Sequence, residues 1–253
     1  MSLYDQTENE RKGVSSLVLR IAAALLTLLY YVHKFNIIRG FGVQWFGYLC
    51  WPAMLLYAFL LAEGMLRTQD RWLYYVRILL FACLSEIPYD RLNYSVNVST
   101  RGQNPLFTIL LCFCVLYAIN DVRTRTDNMA ATIIAEVVFT SLGCRLGTFL
   151  NLELANFAVI SSVLCYISVR VTYSGWFRLV SFATLCSALQ EENMTFALTL
   201  AEKTLTLPVQ AAALPALLLI HFYTGRRGPN SLPVRYASYL FYPLLLLAAM
   251  IIK

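Results

Sequence analysis

Long apolar runs separated by short polar connections make up nearly the whole chain. The first, Val14 to Tyr31, follows a short polar segment and leads directly into His33 and Lys34. A helix rises ~1.5 Å per residue, so about 20 apolar residues cross ~30 Å of hydrocarbon. By that measure the runs at 14–31, 42–62, 72–88, 105–120, 128–147, 152–171, 175–190, 207–223 and 234–252 are candidate spans. The pattern predicts an all-α, polytopic transmembrane helix bundle of about nine spans, within a range of about eight to ten. The first run lacks a small-residue cleavage pattern and reads as a retained span. Gln190, Glu191 and Glu192 interrupt one run while Glu202 and Lys203 flank another, which marks 191–206 as a re-entrant or interfacial candidate. The longest polar stretch, Pro88 to Asn104, reads as a loop at one membrane face. Connections this short leave no room for a separate soluble unit, so residues 1–253 read as a single transmembrane domain.

Composition sharpens this picture. Apolar residues make up 59% of the 253 and charged residues only 13%, about half the roughly 25% usual in soluble domains. A soluble surface could not cover so much apolar material. The net charge of +6 would suit nucleic acid if it were clustered. Instead Arg11, Lys12, Lys34, Arg39, Arg67, Arg71, Arg91, Arg101, Arg123 and Arg125 occur in ones and twos between apolar runs. That is the distribution of loop charges facing lipid headgroups, so nucleic acid is not an expected partner and the lipid bilayer is. Counted by loops, the basic residues place the N-terminus inside by a thin margin. Trp45, Trp51, Trp72 and Trp176 near span ends read as interfacial belts. The seven cysteines form no CxxC pair and read as small buried hydrophobes, and two histidines without a carboxylate set make no metal site, so no metal is expected.

Polar residues at depth carry the most information in such a chain, because each costs a few kcal/mol at a helix centre. Glu63 ends the run Trp51-Pro-Ala-Met-Leu-Leu-Tyr-Ala-Phe-Leu-Leu-Ala62, and Arg67 and Arg71 follow at four-residue steps on the same helical face. Arg77 lies within the third span and Glu86 at its end. Two readings are open: an ion-pair cluster tying spans two and three, or a basic pocket for an anionic ligand. His33 and His221 close apolar runs, where an imidazole serves as an interfacial anchor or as a proton acceptor. Pro52, Pro105 and Pro243 fall within or at the start of spans, where a freed carbonyl accompanies a cavity or finds a neighbour. Asn104 and Thr108 lie four apart on one face, suited to ligand contact or to helix capping.

Together these segments carry a resemblance. Gly47-Tyr-Leu-Cys-Trp-Pro52, Tyr57 to Gly64, Arg67-Thr-Gln-Asp-Arg71, Tyr75-Val-Arg77, Ser85-Glu86-Ile-Pro88-Tyr89 and Asn104-Pro-Leu-Phe107-Thr108 resemble the TraX family of bacterial membrane proteins. Gln210, Tyr223-Thr-Gly225-Arg226-Arg227-Gly228 and Tyr239-Leu-Phe-Tyr242-Pro243 are similar to its closing pattern. The resemblance covers about 15–250, more thinly between 125 and 200. It implies a multi-pass acyltransferase of the bacterial inner membrane that moves an acetyl group from acetyl-CoA, or another acyl-CoA, to an amine by N-acetylation, or to a hydroxyl. The acyl acceptor would be a peptide, sugar or lipid amine; the family's named member acetylates the N-terminus of conjugative pilin. Residue by residue, it implies catalysis by His33 with Glu63 or Glu86 orienting it. Arg67, Arg71 and Arg77 would then bind CoA phosphates, and Asn104, Thr108 and Tyr242 the substrate. Val32 stands where the family has an Asp beside the His, Thr224 where it has an Asn, and Leu245 where it usually has a second His. The alternative these departures leave is a catalytically degenerate member, or a transporter or scaffold.

Overall fold

The computed structural model describes residues 13–37, 44–126, 128–171, 181–182, 195–200, 203–226, 228 and 232–252. Eight α-helices fill them: α1 (Ser16–Lys34), α2 (Cys50–Arg67), α3 (Arg71–Tyr94), α4 (Pro105–Thr126), α5 (Met129–Phe149), α6 (Ala155–Val171), α7 (Leu214–His221) and α8 (Leu232–Ile252). A 3-10 turn, Gln44–Tyr48, precedes α2, and another, Val209–Ala213, precedes α7. The only sheet among the described residues is an antiparallel hairpin of β1 (Thr195–Leu200) and β2 (Lys203–Pro208).

α1, α2, α4 and α5 are long and apolar enough to cross a membrane; α2 together with its preceding turn gives the longest such stretch, Trp45–Arg67. This is a membrane protein, and the expectation of about nine spans is reduced. The run at 207–223 is only a 3-10 turn and the eight-residue α7, ~12 Å of helix and too short to cross. Where 191–206 is a re-entrant or interfacial candidate, its described residues form paired strands, Thr195–Leu200 against Lys203–Pro208. Most of 175–190, with Trp176 and Cys186, lies outside the described residues. Nor is Pro88–Asn104 a loop throughout: α3 continues through Pro88 to Tyr94, and Ser95 ends it with a left-handed φ of 60°.

α2 is the axis of the bundle, packing against α1, α4, α6 and α7, while α8 closes against α3 and α1. Its buried face runs from Trp51 to Met65. Pro52 sits in the first turn, where a missing N–H loses no intrahelical bond, so it breaks nothing. Asp70 caps α3 by accepting from the Leu73 N–H at 2.9 Å, and Asn128 caps α5 in the same way. Of the four helices long and apolar enough to cross, α5 is the least buried, with Ile134, Val137 and Leu142 exposed. Trp45 and Trp72 are exposed at opposite ends, as belt residues would be, whereas Trp51 is buried edge-on against Phe157. Of the six described cysteines, Cys112 and Cys165 are buried while Cys83 and Cys114 are exposed.

Successive long helices run antiparallel, which gives the bundle two ends. The near end holds Ser16, Arg67, Arg71, Thr126 and Val171; the far end holds Lys34, Cys50, Tyr94, Pro105 and Ala155. At the near end the N-terminal segment is stitched into the α7–α8 connection. Val14 forms a parallel bridge with Tyr223, and the Ser16 N–H donates to the Arg226 carbonyl at 2.8 Å.

Candidate active site

A cavity of about 860 Å³ lies between α1, α2, α3 and α8. Both Cys50 and Arg67 line it, 17 residues apart on α2. At ~1.5 Å per residue the space extends roughly 25 Å along the bundle, close to the full hydrocarbon depth.

The near mouth is basic. Arg20, Arg67 and Arg77 line it together with the single carboxylate Glu63. Glu63 and Arg67 form the ion pair that their spacing on α2 points to, at 3.2 Å. Arg67 Nη1 also donates to the Gly225 carbonyl at 2.6 Å, so this arginine is locked to the loop before α8. Gly64 makes room for its neighbour on α3: a Cβ there would meet the Tyr74 hydroxyl at 3.1 Å. Arg71 does not reach the cavity. It faces the α4 amide of Asn120 at 2.9 Å with the oxygen turned toward it, and it ties α3 to α4 on the other side of the bundle.

The far end is built around Glu153, in the short turn between α5 and α6. Its Oε1 accepts from the Tyr30 hydroxyl at 3.1 Å and from Lys34 Nζ at 3.0 Å, and its Oε2 accepts from the Tyr89 hydroxyl at 3.1 Å. Beside this group the hydroxyls of Tyr31 and Tyr242 meet at 2.9 Å. Leu154 takes a left-handed φ of 57°, a conformation an apolar L-residue adopts only under constraint. That constraint comes from Thr108, whose hydroxyl donates to the Glu153 carbonyl at 2.8 Å, and from Gln103, whose N–H donates to the Asn151 carbonyl at 3.1 Å.

Asn104 and Thr108 therefore act behind the site, and neither lines the cavity. Asn104, fully buried, caps α4 by accepting from the Leu106 N–H at 3.0 Å. Its amide donates to the Ala82 carbonyl at 3.0 Å and to the Glu86 carboxylate. Glu86 is thus engaged by Asn104 outside the cavity lining, and Glu63 stands at the opposite end of the bundle from His33. His33 packs toward Gly47, with Nε2 3.6 Å from where a Cβ would be, and also lies outside the lining. His221 is exposed at the near end, a bundle length from His33. Of the nine residues singled out from sequence, Glu63, Arg67, Arg77 and Tyr242 line the cavity. Among the described residues no three His, Cys, Asp or Glu side chains converge closely enough to hold a metal ion.

A comparison with protein families matches residues 18–253, nearly the whole chain, to the family described as TraX protein. The chain belongs to the TraX family. No curated protein and no solved structure matches it. Segments that carry the resemblance converge in this TraX chain: the Glu63-Gly64 and Arg67 segment, the Arg77 segment and the Tyr242-Pro243 segment all border one cavity. Tyr30 and Glu153 were not legible as site residues. A tyrosine ending an apolar run resembles an interfacial anchor, and a glutamate in a turn between two spans resembles a solvated loop charge. The one sequence signal for Glu153 is that Leu152 and Leu154 bracket it, leaving a lone carboxylate in an apolar turn.

Proposed function

We propose that this TraX-family protein is an integral-membrane acyltransferase of the bacterial inner membrane, moving an acetyl or other acyl group from a CoA thioester to an amine. The observation that carries this reading is the single cavity joining a triple-arginine mouth to a carboxylate held among tyrosines. Guanidinium forks suit paired phosphate oxygens, so Arg20, Arg67 and Arg77 would hold the diphosphate end of the donor. The apolar middle, with Ala53, Met54 and Ile78, suits a narrow acyl-bearing arm. Near-side connections carry Arg71, Arg123, Arg125, Arg170 and Arg226, against Lys34, Arg91, Arg101 and Arg145 on the far side. The positive-inside tendency favours the near side as cytosolic, where CoA thioesters are found.

In this reading Glu153 takes a proton from the acceptor's ammonium group, the freed amine nitrogen bonds to the acyl carbon as the C–S bond breaks, and the sulfur leaves with the electron pair and takes up the nitrogen's second proton. Tyr30 and Tyr89 hold the carboxylate in one orientation. His33, the base the resemblance implies, stands outside the cavity and takes no part in this step.

The test is acetyl-CoA binding to the detergent-purified protein by calorimetry, beside Arg77→Ala. Saturable binding that the variant loses supports the reading. No binding by folded wild-type protein overturns it.

A further inference from the structure

The far end of the cavity holds a feature that acyl transfer by Glu153 does not require. The Lys34 ammonium sits 5.4 Å from the ring centres of both Tyr30 and Tyr31 and 5.5 Å from that of Tyr89, while Glu153 accepts from it at 3.0 Å. Neutralising a carboxylate takes one cation; it does not take three aromatic rings around that cation. Rings arranged about an ammonium, with a carboxylate completing the enclosure, form a recognition site for a primary ammonium group. Here the chain's own lysine fills it.

The placement of Lys34 fits a removable occupant. It is the last residue of α1, followed by the Phe35 cap and by Asn36 at a left-handed φ of 51°. Its side chain is 24% exposed and that of Glu153 20%, and Glu153, Tyr30 and Tyr31 line the cavity while Lys34 does not. A four-carbon stem at a helix end can swing outward without disturbing the bundle. We propose that Lys34 is a built-in stand-in for the acceptor, occupying the Tyr30, Tyr31, Tyr89 and Glu153 enclosure beside the far end of the cavity until an acceptor's primary ammonium displaces it.

The biological meaning of this inference rests on the acyl-transfer reading, but its test reads cation binding alone. The probe is n-butylammonium, which has the carbons and ammonium of a whole lysine side chain and one carbon more than Lys34→Ala removes, titrated calorimetrically into wild-type protein and the variant. Lys34→Ala should bind it roughly tenfold or more tightly than wild type. The gain should vanish in Lys34→Ala/Glu153→Gln, which leaves no unpaired buried charge, and n-butanol should not substitute. Should Lys34→Ala alone fail to fold, n-butylammonium in the purification buffer should restore a monodisperse species where n-butanol does not. Equal binding by wild type and variant, binding that survives Glu153→Gln, binding of n-butanol, or an unfolded variant that the amine does not rescue would each overturn the proposal. Amine binding without acetyl-CoA binding would leave the enclosure standing and remove only the transferase.

Discussion

Asn104 performs two separable tasks, and a pair of substitutions tells them apart. Its Oδ1 caps α4 through the Leu106 N–H, while its amide bridges to the Ala82 carbonyl and the Glu86 carboxylate. Serine caps a helix about as well as asparagine but is too short to span to α3. Asn104→Ser therefore keeps the cap and removes the bridge, leaving Glu86 with only the 3.4 Å contact from the residue 104 backbone N–H. A hydrogen bond to a charged group contributes about 1.5–3 kcal/mol, so the serine variant should lose roughly that much stability. Asn104→Ala loses the cap as well, for about 1 kcal/mol more. With ~2–4 °C of melting temperature per kcal/mol in chains of about this size, serine should melt roughly 3–12 °C below wild type, and alanine ~2–4 °C lower again. Thermal unfolding followed by tryptophan fluorescence in detergent reads both steps. A serine variant as stable as wild type would refute the bridge, and serine and alanine melting together would refute the cap.

Tyr31 and Tyr242 should behave as a coupled pair, since either phenylalanine variant strands the other hydroxyl in a buried place. Each single change should cost about 1–3 kcal/mol, and the double variant should cost clearly less than the sum, as measured by a double-mutant cycle of unfolding free energies. Gly13→Ala should loosen the near-end stitch, because its Cβ would fall 2.3 Å from Thr224 Cγ2 and 2.7 Å from the Phe222 carbonyl. Limited proteolysis should then cut the α7–α8 connection faster, and adding Thr224→Ser should restore protection only in part, because the carbonyl clash remains.

The parts of this structure readable in advance were those decided by local physics. The four-residue step from Glu63 to Arg67 predicts their ion pair, and the apolar runs predict α1 and α5 to within three residues, whereas α2 and α4 run five and six residues past the ends of theirs. What escaped depends on contacts between distant segments. The apolar run at 207–223 carries no sign that only a 3-10 turn and the short α7 form there, because a short helix and a span draw on the same residues and differ only in length and in where their backbones find partners. Arg71 and Arg77 look alike in sequence, yet six residues place them on opposite sides of α3, one against Asn120 and one in the cavity. Glu153 is hardest of all. Its inward aim comes from Thr108, 45 residues earlier, and from the left-handed turn at Leu154, neither of which a linear pattern encodes.

The stitch between Val14 and Thr224 also sets an order of events during synthesis. The two residues are 210 apart in the chain, so at ~5–20 residues per second the first helix waits roughly 10–40 s for its partner to leave the ribosome. Arg67 waits too, since the Gly225 carbonyl that fixes it is 158 residues downstream. The cavity is thus completed late at both ends, when Gly225 and then Tyr242 leave the ribosome. A nascent or truncated chain would hold the tyrosines of α1 and the carboxylate of Glu153 well before the Gly225 carbonyl could fix Arg67 at the other end.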